Sequence, residues 1–219
     1  MFVTVILMSA KAYSQGFVNL DFEDATVILA GAPDIIYESS AIPGWSAYFG
    51  GGGSGGAGDA IYYDTISLGG SMVALEDNNN VSPKPIQGNY SVFLFGASSV
   101  YAPPDEQYSA SIGQTATIPT TAESLTYWSS GGALQATFNG QPLDFLVTGS
   151  TANYNIYSAD VSAYAGQNGQ LLFTTPVNDS ALLDNIQFST SPAPEPSAFA
   201  LTALGGLLLS FRRWRNTSR

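Results

Sequence analysis

An all-β body, an antiparallel β-sandwich followed by a short C-terminal transmembrane helix, is the architecture that the 219-residue sequence predicts. Three observations carry it. Between positions 16 and 190, short runs rich in β-branched and aromatic residues recur between clusters of Gly, Pro, Asn, Asp and Ser, with no helical periodicity; this is the pattern of many short strands joined by turns. Asn139-Gly140 lies between two alternating runs, and both residues tolerate the positive φ of a two-residue hairpin turn. An uncharged apolar run from Ser197 to Phe211 then stands between a proline-rich spacer and an arginine cluster.

The chain divides accordingly into 1–15, 16–190 and 191–219, and the middle part is long enough for one domain with a substantial core. In chain order its strands are expected at 17–22, 26–29, 44–49, 60–68, 71–75, 90–95, 108–112, 114–118, 124–129, 133–138, 142–147, 154–160, 170–174 and 183–188. Around the hairpin, Leu134, Ala136 and Phe138 should share one face of the first strand and Leu143, Phe145 and Val147 one face of the second. Gly50 to Gly58 contains seven glycines and reads as a flexible loop or linker. A phosphate-cradling loop would need a helix to open and a lysine nearby, and neither is present. Segments 77–85 and 100–107 read as further surface loops.

Composition removes several classes of chemistry. The chain has no cysteine and no histidine, so disulfides, Ser-His-Asp or Cys-His catalysis and the common zinc sites are excluded. Lys84, flanked by prolines, is the one basic residue between 16 and 190. The body therefore carries a charge of about −15, which repels nucleic acid and anionic lipid. Glycoside hydrolysis needs two acids about 5 to 10 Å apart, and Asp21, Glu23, Asp59, Asp64, Glu76, Asp105, Glu123 and Asp144 are nominal candidates. Their spacing selects no pair, and acids spread this thinly read as solvated surface charges. Aromatic rings are the other candidate groups, because flat Trp and Tyr faces stack on sugars. Trp45, Tyr48, Tyr127 and Trp128 lead, followed by Tyr62, Tyr63 and Tyr101. Tyr127 and Trp128 are adjacent on one strand and must face opposite sides.

At the C-terminus, the 197–211 run makes a helix of ~22 Å, short of the roughly 30 Å hydrocarbon core of a bilayer. It would span marginally, with Phe211 and Trp214 at the interface, arginine stems snorkelling and the basic end cytoplasmic. Pro194-Glu195-Pro196, the apolar run and Arg212, Arg213 and Arg215 in that order resemble the PEP-CTERM sorting signal of exported bacterial proteins. That resemblance implies recognition by an exosortase in the inner membrane, removal of the helix and delivery to the cell surface or extracellular matrix. At the other end, Phe2 to Met8 is apolar and Ala10-Lys11-Ala12 reads as an A-x-A cleavage site, without a basic region ahead of it. It is either a truncated signal peptide or an N-terminal strand.

Within the body, Asn19-Leu20-Asp21-Phe22-Glu23, Ile42-Pro43-Gly44-Trp45, Asp160 to Gln167, Leu171 to Thr174 and Leu183 to Phe188 resemble segments of the galactose-binding-like jelly roll found in carbohydrate-binding modules. The resemblance implies a structural calcium ion held by Asp21, Glu23 and Asp184, with Asn19, Asn185 and backbone carbonyls completing a hard-oxygen shell. The expectation is thus a non-catalytic, structural or adhesive surface or matrix protein with extracellular polysaccharide as partner. A carboxylate-pair enzyme acting on polysaccharide and a protein-binding module are the alternatives.

Overall fold

The computed structural model describes residues 16–49, 59–65, 70–79, 83–98, 107–132 and 134–193. The expected signal peptide, the glycine-rich segment, Tyr101, Asp105 and the sorting tail from Pro194 onward, with its expected membrane helix, lie outside them. Among the described residues, no helix is long and apolar enough to cross a membrane.

The described strands are β1 (Ile35–Tyr37), β2 (Ser46–Phe49), β3 (Ala60–Tyr63), β4 (Met72–Asp77), β5 (Tyr90–Phe95), β6 (Ala97–Ser98), β7 (Gln107–Tyr108) and β8 (Ala110–Thr117). They continue with β9 (Ser124–Gly131), β10 (Gln135–Phe138), β11 (Gln141–Pro142), β12 (Leu146–Ser150), β13 (Asn155–Asp160), β14 (Asn168–Thr175) and β15 (Ser180–Ser189). One helical turn, α1 (Glu38–Ala41), and one 3-10 turn, η1 (Ser162–Tyr164), interrupt them. Eight strands form a large sheet in the order β1-β3-β4-β5-β15-β9-β13-β12, five form a smaller sheet in the order β11-β10-β14-β8-β2, and β6 pairs with β7. The fold is all-β, as expected. Its pairing is not wholly antiparallel, because β3 runs parallel to β4.

Period-2 alternation explains the layering. Along β14, Gly169, Leu171, Phe173 and Thr175 are buried while Gln170, Leu172 and Thr174 are less so. The inward residues of both sheets join one core, with Val73, Val92, Tyr127 and Leu183 from the large sheet meeting Ile112, Phe138 and Phe173 from the small one. A line of rings crosses between the layers: Tyr127 to Phe173 (5.3 Å), Phe173 to Trp45 (6.3 Å) and Trp45 to Phe22 (5.8 Å). The large sheet also buries part of its outer side, where Met72, Ala74, Phe93 and Leu182 form a second cluster against Ile86, Tyr62 and Phe95.

Several elements differ from the sequence reading, each for a local reason. Residues 17–22 form turns instead of a strand, with Asn19 and Phe22 at φ 49° and 58°. This segment is held by a side chain: Gln114 accepts from Val18 N–H (2.7 Å) and donates to Val18 C=O (3.0 Å), imitating a strand partner. The expected strands 108–112 and 114–118 are one strand, β8, which passes through Gly113 without a break. At the hairpin, Asn139 and Gly140 take φ 50° and 75° as expected, and Phe138 pairs with Gln141. Beyond Pro142, however, the chain leaves the small sheet and re-enters the large one as β12. Leu143 is consequently buried while Val147 is 57% exposed, so the expected common face of Leu143, Phe145 and Val147 does not exist. In β15 a bulge between Asp184 and Gln187, with Asn185 at φ 47°, lets Leu183 and Ile186 both face inward although three residues apart, a shift of face that only an extra residue permits.

The opposite faces of β14 give a direct check. Phe173→Ala should cost about 3 to 5 kcal/mol by loss of transfer free energy and a residual cavity, whereas Leu172→Ala should cost about 1 kcal/mol or less. Urea denaturation of the two variants measures both, and equal losses would contradict the assigned inner and outer faces.

Candidate functional site

The outer side of the small sheet follows from the same alternation. Ser46 and Tyr48 of β2, Ser111, Gly113, Thr115 and Thr117 of β8, Asn168, Gln170, Leu172 and Thr174 of β14, and Gln135 and Thr137 of β10 occupy its outward positions. None carries a charge. Strand register aligns Tyr48 with Ser111, Ser111 with Thr174 and Thr174 with Gln135 in one row, and Ser46, Gly113, Leu172 and Thr137 in the next.

Where these rows meet there is a hollow of about 180 Å³ lined by Tyr48, Ser111, Gln170 and Leu172. Gly113 lies beside three of these side chains. A Cβ there would stand 3.0 Å from Leu172 Cδ1, 3.2 Å from Gln170 Nε2 and 3.4 Å from Tyr48 Cε2, so the three side chains lean over the bare backbone. Gln170 Nε2 donates to Tyr48 Oη at 3.4 Å, and the Ser111 and Thr174 hydroxyls share a hydrogen bond of 2.8 Å. Tyr48 remains 37% exposed. The hollow is smaller than the roughly 300 Å³ at which pockets begin to enclose whole small molecules, so it suits one ring of a larger ligand. Among the described residues, its lining presents an aromatic face, an amide and a hydroxyl, and no carboxylate or amine. That set can bind a polyhydroxyl compound but holds no acid–base pair.

Of the four leading aromatics, the structure keeps two at the surface. Trp45 and Tyr127 are corrections: they are 3% and 0% exposed, and their rings are spent on the core described above. The Trp45 indole N–H donates to Asn19 C=O at 3.0 Å. Trp128 lies on the large sheet, in register with Asp184 and stacked on Tyr154 at 4.6 Å and 12°, so it does not join Tyr48. Among the second choices, Tyr62 packs against the outer apolar cluster and the Tyr63 hydroxyl donates to Asp77 Oδ2 at 2.6 Å. Ser111, Gly113, Gln170 and Leu172 were not singled out from sequence. Alternation along 168–175 marks the last two as outward, but nothing local brings them beside Tyr48, some 120 positions away.

The acids fall into distinct settings. Asp59, Glu123 and Asp144 are exposed, while Glu76 is wholly buried. Asp64 and Asp77 touch and share a hydrogen bond; burial and then its neighbour raise the Asp64 carboxyl, while for Asp77 the pull of burial is outweighed by hydrogen bonds from Tyr63 and Asn79. Carboxylates in direct contact leave no room for the sugar and water that a glycosidase places between them.

The expected calcium trio is only partly assembled. Asp21 is exposed and accepts from the Glu23 N–H (3.4 Å). Glu23 and Asp184 instead converge on one segment: Glu23 Oε1 accepts from Asn89 N–H (2.7 Å) and Tyr90 N–H (3.0 Å), and Asp184 Oδ2 from Gln87 N–H (2.9 Å) and the Ser91 hydroxyl (2.7 Å). Among the described residues, no three acidic side chains come together as a metal site. Glu23 and Asp184 could contribute two oxygens to a cation, with the remaining ligands left to carbonyls and water.

Fold and hollow together define a class: an all-β domain of two packed sheets whose smaller sheet carries an uncharged, aromatic-edged hollow on its outer side. No protein-family model matches the chain, and no curated protein matches it. Among solved structures, it is similar to the enzymatically active domain of tailspike protein 4 of bacteriophage CBA120, with a TM-score of 0.35 and 13% identity over 67% of this chain. The match spans 19% of that chain's length.

Asp184 makes the fold sensitive to pH. Burial pushes its carboxyl from 3.8 up to about 6, against the hydrogen bonds from Ser91, Gln87 and Asn185 and with help from the Glu23 charge. Because the folded value is the higher one, the stabilisation is complete below the unfolded value and is lost as pH rises through about 6. Urea titrations in chelator should show stability falling between pH 4 and 7, with Asp184 supplying on the order of 3 kcal/mol of the fall. Asp184→Asn should flatten the curve by that share, and an unaltered slope would refute the assignment.

Proposed function

We propose that the protein is a non-catalytic bacterial surface or extracellular-matrix protein whose body, a jelly roll of the galactose-binding-like kind, holds polysaccharide on the outer side of its small sheet. The single observation that carries this reading is the hollow over Gly113. It combines a half-exposed tyrosine ring with amide and hydroxyl groups, which is the chemistry that recognises a sugar ring and its hydroxyls. In the same reading, Glu23 and Asp184 share a calcium ion whose positive charge offsets two acids held close together. The tail from Ser191 to Arg219 directs the body through the inner membrane by way of an exosortase.

Two experiments address the two halves of the proposal. In affinity electrophoresis through gels containing a polysaccharide panel, the wild-type protein should be retarded by at least one glycan. Tyr48→Ala should weaken that retention at least about tenfold, the loss expected of a central aromatic contact, without changing the circular dichroism. Trp128→Ala should leave it intact. Full retention by Tyr48→Ala would remove the hollow from the proposal, and no retention of wild type would leave a scaffold. In the native host, a chain ending at Thr190 should leave the envelope fraction. An unchanged distribution would overturn the sorting role of the tail.

A further inference from the structure

Charge at the hollow narrows the ligand further. The body bears sixteen acids against one base between residues 16 and 190. That base, Lys84, is exposed on the segment 83–89, which lies over the large sheet: Gln87 N–H reaches Asp184, Ile86 N–H reaches the Ser91 hydroxyl, and Ile86 packs on the outer cluster of Met72 and Phe93. The hollow is on the other layer of the sandwich. Among the described residues, no arginine or lysine is therefore available to a carboxylate, sulfate or phosphate bound there, and bidentate or point-charge recognition of an anion needs one. The outward positions of β2, β8, β10 and β14 contribute no acid either, so among the described residues a cationic glycan finds no partner at the surface itself.

We infer that the ligand of the Tyr48 hollow is an uncharged polysaccharide. The inference rests on the reading of that hollow as a glycan site and adds the substrate class. A polyanion approaching it meets the repulsion of the whole acidic body and recovers nothing at contact. A neutral chain meets no repulsion and satisfies its hydroxyls with Gln170, Ser111 and Thr174. Binding of this kind is insensitive to ionic strength, because no charge pair is formed or screened.

Three preparations of the full chain test it: wild type, Tyr48→Ala and Gln135→Lys. The last places a cation in the row that holds Tyr48, Ser111 and Thr174. On neutral glucans, xylans and mannans, wild type should be retained equally between about 50 and 500 mM salt. On alginate, polygalacturonate and heparin it should pass unretained at every salt concentration. Gln135→Lys should gain retention on the acidic polymers at low salt, at least about tenfold over wild type, and lose it at high salt. Wild-type retention on acidic polymers equal to or above that on neutral ones overturns the inference. If Tyr48→Ala abolishes such retention, the glycan reading of the hollow survives that result. Retention on no polymer overturns both.

Discussion

Ring packing between Tyr127 and Phe173 is the contact on which the two layers depend. Tyr127 belongs to the large sheet and Phe173 to the small one, and their edge-to-face approach at 5.3 Å is worth about 0.5 to 1.5 kcal/mol beyond the area it buries. From it the core spreads in both directions. Tyr157 stacks on Tyr127 at 4.9 Å and 8°, and Phe145 closes on its edge at 4.8 Å. On the other side, Trp45 and Phe22 extend the seam to the N-terminal segment. Trp45 is thus a tie between that segment and the sandwich, since its indole N–H also satisfies the Asn19 carbonyl. A buried indole with its one donor paired and both faces covered has nothing left for a ligand.

The same seam decides what the small sheet can do on its outer side. Phe173 inward forces Leu172 and Thr174 outward, and the register to β8 places them beside Gly113 and Ser111. A glycine inside a strand weakens it by roughly 0.5 to 1 kcal/mol relative to alanine. Here the missing side chain supplies the depression over which Tyr48, Gln170 and Leu172 lean. The weak point lies inside β8, which shares a continuous ladder with β14 across it, each strand being eight residues long. The hollow therefore sits on strands rather than on loops, which keeps its polar groups aligned.

Much of the fold was legible because alternation is local. The strands at 90–95, 124–129 and 170–174 lie within the observed elements, the one at 154–160 is off by a single residue, and the Asn139-Gly140 turn has the positive φ values its residues favour. The failures arise where a long-range contact overrides the local pattern. Residues 17–22 look like a strand, but Gln114 occupies the place of their partner and Phe22 turns into the core. The pattern at 142–147 alternates correctly yet spans two sheets: Leu143 N–H still reaches Ala136 C=O on β10 (2.9 Å), and the chain then crosses to β12 of the large sheet. For the site, sequence could nominate Tyr48 but not its neighbours. β2 pairs with β8 across more than sixty residues, and that register is invisible to any window of sequence.

Electrostatics gives the architecture its remaining constraint. With one base in the body, most of its acids have no cationic partner within it, so burial is met with neutral donors. Asp184 and Glu23 illustrate the device: N–H groups of the 87–90 segment converge on both carboxylates, and Ser91 adds a hydroxyl. Hydrogen bonds to a carboxylate lower its pKa and burial raises it; at Asp184 burial wins, so the carboxyl stays near 6. These contacts draw together the N-terminal segment through Glu23, the loop before β5, and the closing strand β15. Acidity itself therefore couples three distant parts of the chain at one end of the sandwich. The strands of the small sheet carry no charged residue, so this charged fastening on β15 and the neutral outer side of the small sheet belong to different layers of the sandwich.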